Sequence, residues 1–240
     1  LFILALCAIA VSRCRGAARS PFPPAQAPSE KGAAPTIAAD PLQGETPAQG
    51  RRDRLPLPMI ICGLLLAILN VIFYATLGWL PTYLTEEGWS LASAAAVTSM
   101  ISFVEVPAVL LVPILSDRTG RRKVIILACF FLIALCAVLV SLAPSWSWAA
   151  APVLGITFGA PFALLLAFPA QFSRHEKVGS AAGLVLSIGY AGALLGPPLA
   201  GYVRDITGAF SIGFLGMAGA ALLAALLSLA LPDSAGRARS

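Results

Sequence analysis

Glu105 is the one ionisable residue in an apolar run of the sequence, residues 91–115. A charge at the centre of a hydrocarbon layer costs about 3 kcal/mol on insertion scales, so such groups face a bundle interior or a water-filled cavity. Glu105 stands ten residues before the end of its run, a depth of about 15 Å at the helical rise. No Lys or Arg lies at a similar depth, so the carboxyl is expected to be protonated or paired with a residue outside this chain. It can then carry a proton, pair with a solute, or serve as a neutral hydrogen-bonding acid. Asn70 and Tyr74 lie four residues apart in another apolar run, on one face of a helix. They suit either solute hydrogen bonding or hydrogen bonds between helices.

Other chemistries find less support. The single histidine, His175, sits in "QFSRHEKVGS" with Ser173, Glu176 and Ser180. A catalytic set needs a nucleophile, a base and an orienting group converging in a protected site. These residues share one short, charged loop, so the chain is not expected to be an enzyme. Cys7, Cys14, Cys62, Cys129 and Cys136 form no CxxC pair and lie mostly in apolar stretches, where cysteine packs as a small hydrophobe. No metal site and no cofactor are expected.

The elements that hold these residues follow from composition. The chain has 240 residues, 58% of them hydrophobic and 11% charged, with a mean hydropathy of +0.87. Soluble domains avoid this balance. A membrane-spanning helix needs about 20 mostly apolar residues, and six runs qualify: 57–81, 91–115, 124–142, 149–172, 179–202 and 210–231. They are continuously apolar, unlike the alternating strands of a barrel. The fold class expected is an all-α integral membrane bundle of six helices.

Residues 1–15, "LFILALCAIAVSRCR", read as the last turns of a preceding membrane helix. Residues 16–56 change to Pro, Ala, Gly, Gln and Ser, too polar to bury a core, and are expected to be a disordered linker. With that linker and the tail 232–240 in the cytoplasm, Arg204 alone of the 16 Lys and Arg residues falls on the outer side. This is the asymmetry that orients membrane proteins. The net charge of +5 is thus spread over short loops facing anionic lipid, and no nucleic-acid surface is indicated.

An offset of 88 residues places Pro56 on Pro144, Pro81 on Pro169, Ser99 on Ser187, Asp117 on Asp205, Thr119 on Thr207 and Gly120 on Gly208. "DRTG" overlies "DITG", and three helices overlie three. Three crossings reverse direction, so the second copy is inverted in the membrane, an arrangement found in secondary transporters. "LSDRTGRRK" between the second and third runs is expected to form a loop of about eight residues. Gly120 permits its turn, and its bases hold it at the cytoplasmic face. It could be purely topological, or Asp117 could clamp an opposing helix N-terminus.

"DRTGRRK" after the second helix of a six-helix unit resembles the signature loop of the major facilitator superfamily. Asp117, Arg118, Gly120, Arg122 and Lys123 match that motif, Arg121 fills its variable position, and its leading glycine is replaced by Pro113. "GWLPTYLTEEG" and "GPPLAGYVRDITGAF" extend the resemblance over residues 57–231, and "GWLPTYL" is similar to stretches in the cyanate and nitroimidazole branch and in organic-anion symporters. The resemblance implies the C-terminal six-helix half of a secondary active transporter working by alternating access. Its partners would be a small solute, with or without H+, membrane lipid, and an N-terminal half absent from this sequence. It implies a bacterial cytoplasmic (inner) membrane location. Within the family the first and fourth helices of a half line the cavity, which would put Asn70 and Tyr74 there and Gln171 towards the inner mouth. It also implies that Asp117 and Arg118 form a latch between halves. Gly189, Gly192 and Gly196, like Gly155 and Gly159, are spaced for close helix packing, with a hinge at Pro197–Pro198 as an addition. The alternatives are a half-size transporter acting as a dimer and a non-transporting scaffold or sensor.

Overall fold

The structure, a computed structural model, describes residues 57–172 and 178–231. The expectations for 1–15, for the linker 16–56, for the tail 232–240 and for His175 lie outside the described residues. Six α-helices account for nearly all of the described chain: α1 (Leu57–Glu86), α2 (Leu91–Thr119), α3 (Arg122–Leu142), α4 (Ser147–Phe172), α5 (Val178–Thr207) and α6 (Phe210–Ser228). A single 3-10 turn, Pro144–Trp146, leads into α4. All six helices are long and apolar enough to cross a membrane, and no strand occurs among the described residues. The protein is an integral membrane bundle.

The helices overrun the apolar segments that mark them. α1 continues past residue 81 to Glu86, α2 past 115 to Thr119, and α5 past 202 to Thr207, whereas α6 stops at Ser228, short of 231. Hydropathy marks the edge of the hydrocarbon, but a helix continues into the headgroup region until a residue breaks it. The 30 residues of α1 extend for about 45 Å, well beyond the roughly 30 Å hydrocarbon core. The expected eight-residue loop is therefore not found. Only Gly120 and Arg121 separate α2 from α3, and most of the charged motif sits on helix ends.

Left-handed glycines follow all three overrunning helices, Gly88 after α1 at φ 87° among them. Gly120 closes α2 at φ 64° with its N–H on the Ser116 carbonyl at 2.9 Å. Gly208 follows α5 at φ 73° with its N–H on the Arg204 carbonyl at 2.7 Å. Left-handed backbone costs glycine nothing and ends a helix cleanly. The preceding threonines act alike: the Thr119 hydroxyl donates to Leu115 O at 3.1 Å and that of Thr207 to Val203 O at 2.6 Å. "DRTG" and "DITG" thus perform the same local task one repeat apart.

Packing follows the repeat as well. The most extensive pairings are α1 with α5, α2 with α4, and α3 with α6. Advancing each helix by three converts the first pairing into the second and leaves the third unchanged. In the first seam, a Cβ on Gly192 would lie 2.2 Å from Ala67 O and one on Gly196 would lie 2.6 Å from Val71 O. In the second, a Cβ on Gly155 would meet Ile101 O at 2.5 Å and Val104 Cβ at 2.8 Å, and one on Gly159 would meet Ala108 Cβ at 3.1 Å. Ala67 and Val71 correspond to Gly155 and Gly159, and Gly192 and Gly196 to Val104 and Ala108, so the same positions touch in both seams. α5 remains one helix through Pro197 and Pro198.

Candidate functional site

Where the two copies meet, α1, α2, α4 and α5 enclose a recess of about 70 Å³. Leu69, Asn70, Phe73 and Tyr74 come from α1, Glu105 from α2, Phe158 and Phe162 from α4, and Tyr190 from α5. Each lies near the middle of its helix, so the recess sits about halfway along the bundle.

The glycine seams set these side chains in place. Gly159 would bring a Cβ within 2.8 Å of Glu105 O, and Gly155 one within 3.2 Å of Glu105 N, so α4 presses directly on the backbone that carries the carboxyl. Across the other seam, Asn70 is 3% exposed, and its Nδ2 donates to Gly189 O at 2.9 Å, tying α1 to α5. Burial of an amide is costly without such a partner. Asn70 thus joins helices while also lining the recess.

Aromatic rings complete the wall. Tyr74 stands edge-on to Phe73 at 5.2 Å, and Phe73 edge-on to Phe158 at 5.2 Å, in the T-shaped geometry that ring quadrupoles favour. Tyr74 is 37% exposed and Tyr190 is 49% exposed, so the recess is open on the side these phenols occupy. Phe73, Phe158, Phe162 and Tyr190 are not among the residues that the sequence singles out. The offset of 88 residues carried a signal for two of them, since Phe158 and Phe162 are the repeat positions of Asn70 and Tyr74.

Three of the four cavity residues read from the sequence, Asn70, Tyr74 and Glu105, share this recess. Gln171 does not line it; it lies beside Phe172 at the end of α4. Asp117, Arg118, Gly120, Arg121, Arg122 and Lys123 gather at the α2–α3 junction, away from the recess. There Asp117 forms an ion pair with Arg122, and Arg118 occupies the last turn of α2, where a cation complements the helix dipole. At the opposite helix ends, Arg204 of α5 pairs with Glu86 of α1 at 2.8 Å and lies 5.1 Å from the centre of the Phe210 ring of α6. Trp79 Nε1 donates to Pro197 O at 2.9 Å nearby.

Among the described residues no three His, Cys, Asp or Glu side chains are grouped to hold a metal. Cys62, Cys129 and Cys136 are buried free thiols, and Cys62 Sγ donates to Leu165 O at 3.3 Å. The recess offers one carboxyl, one amide, two phenols and several ring faces, a set suited to holding a solute by contact and hydrogen bonds.

A sequence profile described as the Major Facilitator Superfamily matches residues 1–197. The 2-nitroimidazole transporter of Escherichia coli (strain K12) is 29% identical over 171 residues, 69% of this chain and 42% of that protein. The uncharacterised transporter YycB of Bacillus subtilis (strain 168) is 30% identical over 178 residues, 71% of this chain and 42% of that protein. The hexuronate transporter of Bacillus subtilis (strain 168) is 29% identical over 173 residues, 65% of this chain and 40% of that protein. The chain thus spans less than half the length of these relatives. With a family profile matched over most of its sequence and six spanning helices paired as two inverted triplets, the chain belongs to the Major Facilitator Superfamily.

Proposed function

We propose that this chain forms the C-terminal six-helix wall of a secondary active transporter, and that the recess around Asn70, Tyr74 and Glu105 is its share of the solute site. The observation that carries the reading is the recess itself, about halfway along the bundle between inverted copies, where alternating-access carriers hold their cargo. Glu105 is the group we assign to coupling or solute pairing, since a carboxyl at that depth is retained at a cost. We assign the linker 16–56 and the tail 232–240 to the cytoplasm and the protein to the bacterial cytoplasmic membrane, a reading supported by the asymmetry of Lys and Arg between the two sides. We assign the α2–α3 junction, with its Asp117–Arg122 pair, to a contact with the other half that forms and breaks as the halves rock.

The relatives named for 2-nitroimidazole and for hexuronate supply the first cargo panel. A proton gradient imposed on the intact protein in proteoliposomes should drive accumulation of a solute, tried first with the nitrogen heterocycle 2-nitroimidazole and with glucuronate as the carboxylate comparison. Glu105→Gln should abolish that accumulation while the protein stays folded. Residues 57–240 expressed alone should insert but transport nothing. Accumulation unchanged by Glu105→Gln would remove the acid from the mechanism. Saturable uptake by the isolated six-helix unit would establish the half-size dimer instead. Against that dimer stands the use of Gly192 and Gly196, whose close faces are filled by α1 within the bundle.

A further inference from the structure

We infer that the solute held at this recess is an aromatic or nitrogen-base cation and not a carboxylate; the inference rests on the recess being the solute site. Five of the eight lining residues are aromatic. Phe73, Tyr74, Phe158, Phe162 and Tyr190 supply ring faces, whose negative quadrupoles attract cations such as ammonium, amidinium or protonated heterocycles. Among the described residues, Glu105 is the acidic group of the lining and none of the lining is Lys, Arg or His.

Asn70 points the same way. One of its N–H groups is committed to Gly189 O at 2.9 Å, which leaves the amide oxygen as the part best placed to accept from a solute N–H. The phenol oxygens of Tyr74 and Tyr190 are acceptors too. A carboxylate solute would meet a like charge whenever Glu105 is ionised, in a medium where charges are weakly screened, and ring faces that repel it. A flat cation would lie between the rings with its N–H groups towards Glu105 and Asn70. Tyr190, through its place on α5 opposite Tyr74 on α1, becomes a residue that sets solute preference.

The test uses three molecules with one ring and three charges: benzyltrimethylammonium, benzyl alcohol and benzoate. Their binding to the intact protein in lipid nanodiscs is measured by calorimetry. The cation should bind about tenfold or more tighter than the alcohol, a difference within reach of a desolvated ring and carboxylate site. Benzoate should bind more weakly than either. Glu105→Gln should shrink the preference for the cation to about threefold or less as the charge term is lost. Tyr190→Leu should weaken the cation by about fivefold through loss of one ring face, with Tyr190→Phe retaining most of it and showing that the site is intact. Benzoate binding as tightly as the cation, with both Glu105→Gln and Tyr190→Leu still altering affinity, would overturn the charge class and leave the site standing. Binding of all three probes that neither substitution changes, or no binding at all, would remove the site as well as the inference.

Discussion

The α1–α5 seam and the α2–α4 seam occupy corresponding positions of the two copies and both bring a glycine against a facing backbone carbonyl, yet they place these glycines on opposite partners. In the first, Gly192 and Gly196 on α5 meet Ala67 and Val71 of α1; in the second, Gly155 and Gly159 on α4 meet α2 between Ile101 and Ala108, with the Ile101 and Glu105 backbone the nearest obstacle. What the repeat has kept is the close approach, and one glycine at each crossing suffices for it. The side chains that follow from the seams have diverged further. α1 presents Asn70 and Tyr74 where α4 presents Phe158 and Phe162, so a packing scheme of near symmetry produces a recess polar on one wall and aromatic on the other.

The strongest way to break this comparison is to fill a seam. Gly192→Leu and Gly155→Leu each force side-chain atoms into a facing carbonyl, at 2.2 and 2.5 Å from the first added carbon. Each should cost at least about 3 kcal/mol, since the obstacle is backbone, and should leave little folded protein in detergent. Gly216→Leu on α6 has nothing within 4 Å of its new Cβ, and its melting temperature should stay at that of the wild type. Comparable losses at all three glycines would mean that the seams are not special.

A smaller effect is expected at the one hydrogen bond that distinguishes the polar wall. Asn70→Ala removes the donor to Gly189 O and should lower stability by about 1 kcal/mol, as interhelical hydrogen bonds in membranes usually do. Asn70→Leu should not restore it, because leucine fills the space without supplying a donor. Smaller again is Arg204→Gln. The Arg204–Glu86 pair is 41% and 45% exposed at its two side chains, and its loss should shift stability by less than about 1 kcal/mol. A thermal-melt series resolves this order, and a larger loss at Arg204 than at Asn70 would reverse the ranking of the two contacts.

How much could be read beforehand depended on whether a residue departs from its surroundings. Glu105, Asn70 and Tyr74 differ from the apolar runs that carry them, and the structure gathers all three on one recess. Phe158, Phe162 and Tyr190 do not stand out, because an aromatic side chain in a membrane helix is equally at home against lipid, a neighbouring helix or a cavity. The repeat offset points to Phe158 and Phe162 as partners of Asn70 and Tyr74, whereas Tyr190 is separated from these cases only by the pairing of α5 with α1. The repeat was visible as Asp117, Thr119 and Gly120 matching Asp205, Thr207 and Gly208, and the left-handed glycines give it a structural meaning. Helix ends were misjudged where polar residues were read as loop, as at Ser116 to Thr119, since membrane partition says nothing about where hydrogen bonding stops.

The central claim, that the recess is reached in turn from the two sides of the membrane, is tested most directly by thiol accessibility. In the intact protein freed of native cysteines, single cysteines at 74, 119 and 207 are treated with an impermeant thiol reagent from either side. The account predicts that position 119 reacts only from the cytoplasm and position 207 only from outside, as the inverted copies require. Position 74 should react from both sides, with the ratio shifted by an imposed gradient or a bound solute. Reaction at 74 from one side under every condition, or from neither, would contradict it.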